Sequence, residues 1–190
     1  KESDAYPANP EDGYGWEKLF SERMCRHYLE DYGLDVKVAR YHNVYGPNGT
    51  YDGGREKAPA ALCRKIIIAK EKNSDIIDVW GDGKQTRSFL FIEDCVNATL
   101  QFFNSNHHGP INIGSEEKVS INEMIEKIEK ISSKKFKKNY QLDKPKGVRG
   151  RSSNNDLIRK LLKWEPKYNL YEGLKKTYQW IEEDMKKNNQ

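Results

Sequence analysis

The sequence predicts an α/β fold, and three observations carry that prediction. An amphipathic helix opens at Tyr14 and runs to about Tyr32, with Leu19, Phe20, Met24 and Tyr28 recurring on one face. A short loop joins it to an apolar stretch, Val36 to Tyr41, that reads as a strand. Helix and strand then keep alternating towards the other end, the pattern of a layered α/β fold.

Taken in order, residues 1–13 form an approach loop rich in Pro, Asp and Gly, and Gly33 is placed to end the first helix. The loop His42 to Gly49 leaves the C-terminal edge of the first strand, where open α/β sheets bind ligands. A glycine-rich loop, Tyr51 to Lys57, feeds a helix with Pro59 in its first turn and Ala60 to Lys70 as its body. Asp75 to Trp80 reads as a strand closed by Gly81-Asp82-Gly83, and Thr86 to Ile92 as another extended stretch. A helix from Glu93 to Asn104 and a short buried strand at Ile111 to Ile113 follow. Ser120 and Glu123 make a capping box for a helix that turns Met124, Ile125, Ile128 and Ile131 inward. Lys138 to Leu142 is a further strand; the loop Lys146 to Arg151 precedes two final helices, Asn155 to Trp164 and Tyr171 to Lys187.

Composition narrows the function classes. Charged residues make up 33% and hydrophobic ones 36% of the 190 residues, enough for a buried core in a polar but periodic chain. The net charge of +4 is mild, and outside Lys134, Lys135, Lys137 and Lys138 the lysines are spread along helices, so solvated faces are expected and no nucleic-acid surface. Cys25, Cys63 and Cys95 are odd in number and lie in apolar helical patterns, which reads as reduced core cysteines of a cytosolic protein. The longest apolar run, near Ile66 to Ala69, is far short of a membrane span, and no metal site is expected.

A tyrosine and a lysine four residues apart on a helix are neighbours, and the ammonium favours the phenolate, making an acid/base. The spacing occurs three times: Tyr14/Lys18, Tyr140/Lys144 and Tyr171/Lys175. Pro145 biases Lys144 away from helical geometry, and core packing with a solvated lysine accounts for Tyr171/Lys175. Lys57 stands before a helix N-terminus and beside Arg55, an environment that disfavours its charge and suits a proton shuttle; the alternative is an exposed loop lysine. Arg87 and Arg151 are candidates for gripping a diphosphate, or else surface ion pairs.

The run Glu2-Ser3-Asp4-Ala5-Tyr6-Pro7 followed by Tyr14-Gly15-x-x-Lys18 resembles the active-site segment of extended short-chain dehydrogenase/reductases that act on nucleotide sugars. Four further runs sharpen the resemblance to the GDP-mannose 3,5-epimerase family: His42-Asn43-x-Tyr45-Gly46-Pro47, Gly53-Gly54-Arg55-Glu56-Lys57-Ala58-Pro59, Trp80-Gly81-Asp82-Gly83-x-Gln85-Thr86-Arg87 and Gly147-Val148-Arg149-Gly150-Arg151. It covers nearly the whole chain, and the Arg-Glu-Lys-Ala-Pro loop is its most specific part.

The resemblance implies the C-terminal part of a Rossmann-like NAD-binding fold plus a small α/β substrate-binding lobe. Residues 1–50 would be a remnant of the dinucleotide-binding domain, 51–92 a substrate-binding segment, 93–135 a return to the Rossmann-like domain and 136–190 the C-terminal substrate lobe. It implies NAD as cofactor, a GDP-sugar as substrate and a homodimer. No Gly-x-Gly-x-x-Gly precedes Tyr14, so the N-terminal half of the protein is expected to be missing. Tyr14, Lys18 and Lys57 would be catalytic, with Tyr14 and Lys18 also at the cofactor. Asn43, Glu56, Lys57, Ala58, Lys65, Gln85, Thr86, Arg87 and Arg151 would meet the substrate. The family's second acid/base, a cysteine, falls upstream of Lys1. Two other readings are a nucleotide-sugar dehydratase, decarboxylase or 4-epimerase of the same superfamily, and a non-catalytic nucleotide-sugar-binding module.

Overall fold

The computed structural model describes residues 1–10, 12–144 and 150–188. A single turn of 3-10 helix, Glu2–Ala5, leads to α1 (Gly13–Tyr32), β1 (Ala39–Tyr41), β2 (Val44–Tyr45), α2 (Ala58–Glu71), β3 (Ile76–Trp80), β4 (Thr86–Ser88), β5 (Leu90–Phe91) and α3 (Ile92–Phe103). Then come β6 (Ile111–Ile113), β7 (Lys118–Ser120), α4 (Ile121–Ser132), β8 (Lys137–Gln141), β9 (Gly150–Arg151), α5 (Asp156–Leu162) and α6 (Leu170–Asn188). The α/β class follows as expected. No described helix is long and apolar enough to cross a membrane.

Apolar residues divide into two clusters. In the larger one, α2, α4 and α6 pack on one another and α2 also packs on β3, with Ile66, Ile67, Ile125, Ile128, Leu174 and Ile181 all at most 1% exposed. In the smaller, α3 and α5 cover β6 through Cys95, Ala98, Phe102, Ile111, Ile113, Ile158 and Trp164. α4 packs on α2 and α6, while α5 packs on β6. The stripe Met124, Ile125 and Ile128 turns α4 onto α2 and α6 in the larger cluster.

Three pairs of strands are parallel: β1 with β6, β2 with β5 and β3 with β8. A fourth, mixed sheet has the order β7-β4-β9, antiparallel on one side of β4 and parallel on the other. The first strand is shorter than Val36 to Tyr41, since pairing with β6 begins only at Ala39. Three strands were not expected: β2, inside the loop His42 to Gly49, β7, and β9, at the end of the loop Lys146 to Arg151. All three are held by partners distant in sequence, which local patterns do not reveal. Tyr140 lies in β8, so the Tyr140/Lys144 pair is not helical. Residues Gly147, Val148 and Arg149 lie outside the described residues.

The opening helix departs most from expectation. It is capped as the sequence suggests, Asp12 Oδ1 accepting from the Gly15 amide at 2.9 Å and Gly33 adopting φ 66° at the far end. Yet none of its residues is buried, and Trp16, Phe20, Tyr28 and Tyr32 are all about half exposed or more. Cys25, expected in the core, is therefore only partly covered, whereas Cys63 and Cys95 are buried. Arg40 ties the helix to β1: its Nε and Nη2 donate to the two carboxylate oxygens of Glu22 at 2.8 and 2.6 Å, and its Nη1 donates to the Glu2 carbonyl at 2.8 Å. That paired geometry raises the Arg40 pKa.

Candidate active site

Tyr14 and Lys18 occupy consecutive turns at the start of α1, and the Lys18 ammonium stands 5.1 Å from the centre of the Tyr14 ring. Tyr14 is 67% exposed, and the ion pair of Lys18 is local, with Glu17 at 3.2 Å. The helix thus presents a phenol and a cation side by side on an open surface.

A second group forms around the N-terminus of α2. Gly53 and Gly54 take φ values of 88° and 82°, which side chains resist, and this lets the loop double back before the helix. Lys57 is the N-cap residue of α2; its side chain is exposed and makes no capping bond. It therefore stands at the positive end of the α2 dipole with its amine uncommitted to the fold. Ala58 follows as the first helical residue, partly buried. Glu56 is turned inward: Oε1 accepts from Arg64 Nη2 at 3.3 Å, while Oε2 is buried with no hydrogen-bond partner among the described residues. Lys65, on the same face of α2 as Lys57, donates to the Asp78 carbonyl at 3.2 Å and lies 5.5 Å from the Trp80 ring centre. Burial lowers its pKa, with the neighbouring Arg64 adding a smaller push in the same direction.

The third group lies on the mixed sheet. In the parallel β4/β9 pair Arg87 is in register with Arg151, so their side chains leave the sheet on one face as nearest neighbours. Arg87 Nη1 also donates to the Thr86 carbonyl at 2.8 Å. Thr86 is itself in register with Gly150, whose lack of a side chain leaves the threonine hydroxyl uncovered on that side. Gln85 donates from Nε2 to the Trp80 carbonyl at 3.2 Å, and its Oε1 is a second buried acceptor without a hydrogen-bond partner among the described residues. Asn43, with φ 44°, spends its amide on the fold: Nδ2 donates to the Ser88 carbonyl at 3.0 Å. It fixes the start of β2 against the β4–β5 turn.

No hydrogen bond or ion pair among the described residues joins α1 to the loop before α2, so Tyr14 and Lys18 stand apart from Glu56 and Lys57 in the contact network. Two partially satisfied groups, Glu56 and Gln85, both lie among the residues expected to meet substrate. A buried acceptor left without a donor costs on the order of 1–3 kcal/mol, and a ligand hydroxyl or amine is the kind of group that removes that cost. Arg64 was missed by sequence reasoning. Its signal is the spacing: seven residues after Lys57, it falls on the same helical face.

The chain is 50% identical over 187 residues to the GDP-mannose 3,5-epimerase of Arabidopsis thaliana, a match covering 98% of this chain and 48% of that protein. Among solved structures, the UDP-glucose 4-epimerase of Thermotoga maritima with UDP-glucose superposes with a TM-score of 0.83 at 26% identity, over 93% of this chain and 55% of that one. The UDP-glucuronic acid 4-epimerase of Bacillus cereus with UDP-glucuronic acid and NAD gives 0.76 at 29% identity, over 92% and 54%. The chain thus spans about half the length of the curated relatives it matches. Residues 1–114, which hold Tyr14, Lys18, Lys57 and Arg87, match the model of one family, and the chain belongs to it: the NAD dependent epimerase/dehydratase family.

Proposed function

We propose that the chain supplies the sugar-binding and acid/base part of an enzyme that epimerises a GDP-sugar, turning GDP-mannose into GDP-L-galactose, with GDP-L-gulose arising from inversion at C5 alone. The half-identity to a GDP-mannose 3,5-epimerase supports the substrate class. The observation that carries the reaction is Lys57: an exposed amine at the positive end of α2, with no capping bond, next to a carboxylate whose second oxygen is buried and unpartnered.

The residues present fit one end of the cofactor. An exposed phenol with an ammonium beside it suits a sugar hydroxyl and the nicotinamide ribose, and the 190 residues hold no Gly-x-Gly-x-x-Gly phosphate turn. When bound, NAD supplies reversible hydride storage for C4. Tyr14 takes the C4 hydroxyl proton, and Lys18 stabilises the phenolate. A ketone at C4 acidifies the hydrogens on C3 and C5, and Lys57 exchanges protons there from one face of the sugar. Arg87 and Arg151 hold the diphosphate, Gln85 and Thr86 add hydrogen bonds, and Glu56 and Lys65 line the sugar side. A cytosolic homodimer belongs to the same reading, and the exposed aromatic side of α1 is the surface available for it.

The test is to incubate the parent protein, extended to carry the dinucleotide-binding half, with GDP-mannose in deuterated water and follow the sugar by NMR. Deuterium at both C3 and C5 is the expected result. If neither carbon exchanges while NAD stays bound, the reading fails, and UDP-sugars, the ligands of the T. maritima and B. cereus enzymes, become the substrates to screen. In the same protein Arg151→Lys is expected to weaken GDP-sugar binding about tenfold, measured by calorimetry, because an ammonium cannot grip two phosphate oxygens at once. An unchanged affinity would remove Arg151 from the diphosphate site.

A further inference from the structure

The loop that carries Glu56 and Lys57 has no strand or helix of its own, so something else must hold it. At its start the Tyr51 hydroxyl donates to Asp184 Oδ2 of α6 at 2.7 Å, and the Tyr51 ring packs edge-on against Trp180 with ring centres 5.7 Å apart. At its end Lys57 runs into α2. Between these points one side chain reaches it from below. Arg64, about two turns into α2, points back towards the helix N-terminus as helical side chains do. Its Nε donates to the Tyr51 carbonyl at 2.8 Å, its Nη1 pairs with Asp52 Oδ1 at 3.3 Å and its Nη2 with Glu56 Oε1 at 3.3 Å.

These contacts are spread along the loop, and each uses a different nitrogen of one rigid planar fork. The Arg64 side chain is 21% exposed and Glu56 13%, so the pair between them is largely withdrawn from water. Asp52 Oδ1, while paired with Arg64, also accepts from the Gly53 amide at 2.8 Å and so fixes the entry to the double-glycine bend. The Glu56 carboxylate is anchored through one oxygen, which leaves the other, buried and unpartnered, as the one offered to a ligand. A lysine could not reproduce this arrangement, because a single ammonium cannot span a carbonyl and two carboxylates in fixed geometry.

We propose that Arg64 is a positioning residue: it holds the Tyr51–Lys57 loop so that Glu56 anchors the sugar and Lys57 stands over the carbon that loses its proton. This rests on the epimerase reading above. Arg64 itself touches no reacting atom; it acts through the loop. A misplacement of about 1 Å at a reacting group can cost on the order of a hundredfold in rate, so loosening the loop should be felt at the proton-transfer step. The C4 hydride step depends on Tyr14 and Lys18 on α1, which share no hydrogen bond or ion pair with Arg64 among the described residues, and should be largely spared.

The experiment uses the parent holoenzyme with GDP-mannose and compares wild type, Arg64→Gln and Arg64→Lys. Two rates are read on each: deuterium incorporation at C3 and C5, and reduction of the bound cofactor by substrate, followed by NADH absorbance. Arg64→Gln is expected to slow exchange about 30-fold while cofactor reduction changes less than about threefold, and Arg64→Lys to fall between the two. Thermal melting accompanies both variants. Equal loss of both rates together with a lowered melting temperature would reduce Arg64 to a stabilising contact, and unchanged exchange would show that the loop needs no clamp; either result overturns the proposal. If wild-type protein shows no exchange, it is the epimerase reading that fails, a result separable from the other two.

Discussion

Lys57→Ala in the parent protein is expected to remove proton exchange at C3 and C5, by about a hundredfold to ten-thousandfold, with NAD still bound. That range is what a positioned acid/base contributes. The structure makes the substitution clean. Lys57 caps α2 through its backbone alone, its side chain is exposed, and it makes no capping hydrogen bond, so truncation costs the fold little. A loss of exchange can then be assigned to chemistry, and retained melting temperature is the control. Cofactor reduction by substrate should survive, since it needs the phenol and ammonium of α1. Exchange at the wild-type rate in Lys57→Ala would sink the assignment and leave Lys57 as a loop residue.

Gly173→Ala is expected to destabilise the fold by about 2 kcal/mol, despite placing a better helix former in the first turn of α6. A β-carbon at Gly173 would overlap the Tyr45 hydroxyl and lie 2.9 Å from both the Tyr45 ring and Phe91 Cδ2. Tyr45 is 5% exposed and Phe91 2%, and they meet edge-on with centres 5.7 Å apart, so neither has room to retreat. The Tyr45 hydroxyl also donates to the Leu170 carbonyl at 3.3 Å in the first turn of α6. Overpacking of this kind costs roughly 1–3 kcal/mol, occasionally more, against a gain of about 1 kcal/mol in helix propensity. For a chain of this size the melting temperature should fall by about 4–8 °C, read by circular dichroism. Tyr45→Phe in the same background should recover part of the loss, because it removes the atom the new methyl meets first. A Gly173→Ala protein that melts at or above wild type would show that α6 can shift on β2 and β5.

Much of this was legible in the sequence, and where it failed the reason is physical. The capping box at Ser120 and Glu123 is local chemistry, and the structure shows both of its hydrogen bonds. The buried face of α4 follows from the spacing of Met124, Ile125 and Ile128 in the same way. Strands β2 and β7 were invisible because each is only a few residues long and is made by a distant partner rather than by its own alternation. The register that pairs Arg87 with Arg151 is likewise tertiary information: sequence offered two arginines, and only the β4/β9 ladder makes them neighbours. Tyr45 shows the reverse. It belongs to a run that resembles a ligand-binding motif, yet its burial beneath α6 makes it a packing residue whose burial also raises its pKa. Arg64 was overlooked because an arginine next to a lysine on a helix reads as solvation until its fork is seen closing on the loop.

The exposure of α1 bears on timing as much as on placement. Free energies of local opening scale with the apolar surface a segment buries, and this helix buries none fully. Among the described residues it is held by a cap at each end, by the fork of Arg40 on Glu22 and by a partly covered stripe of Leu19, Cys25 and Leu29, a modest hold for five and a half turns of helix. In an equilibrium sense α1 is expected to be the first long helix to come undone, while α2, α4 and α6, which share one cluster, are expected to open together, an order amide hydrogen exchange would read. Tyr14 and Lys18 keep their spacing only while their turns are wound. Any surface that covers Trp16, Phe20 and Tyr28 therefore raises the fraction of molecules in which the pair is assembled, so that docking and catalytic readiness become a single linked equilibrium.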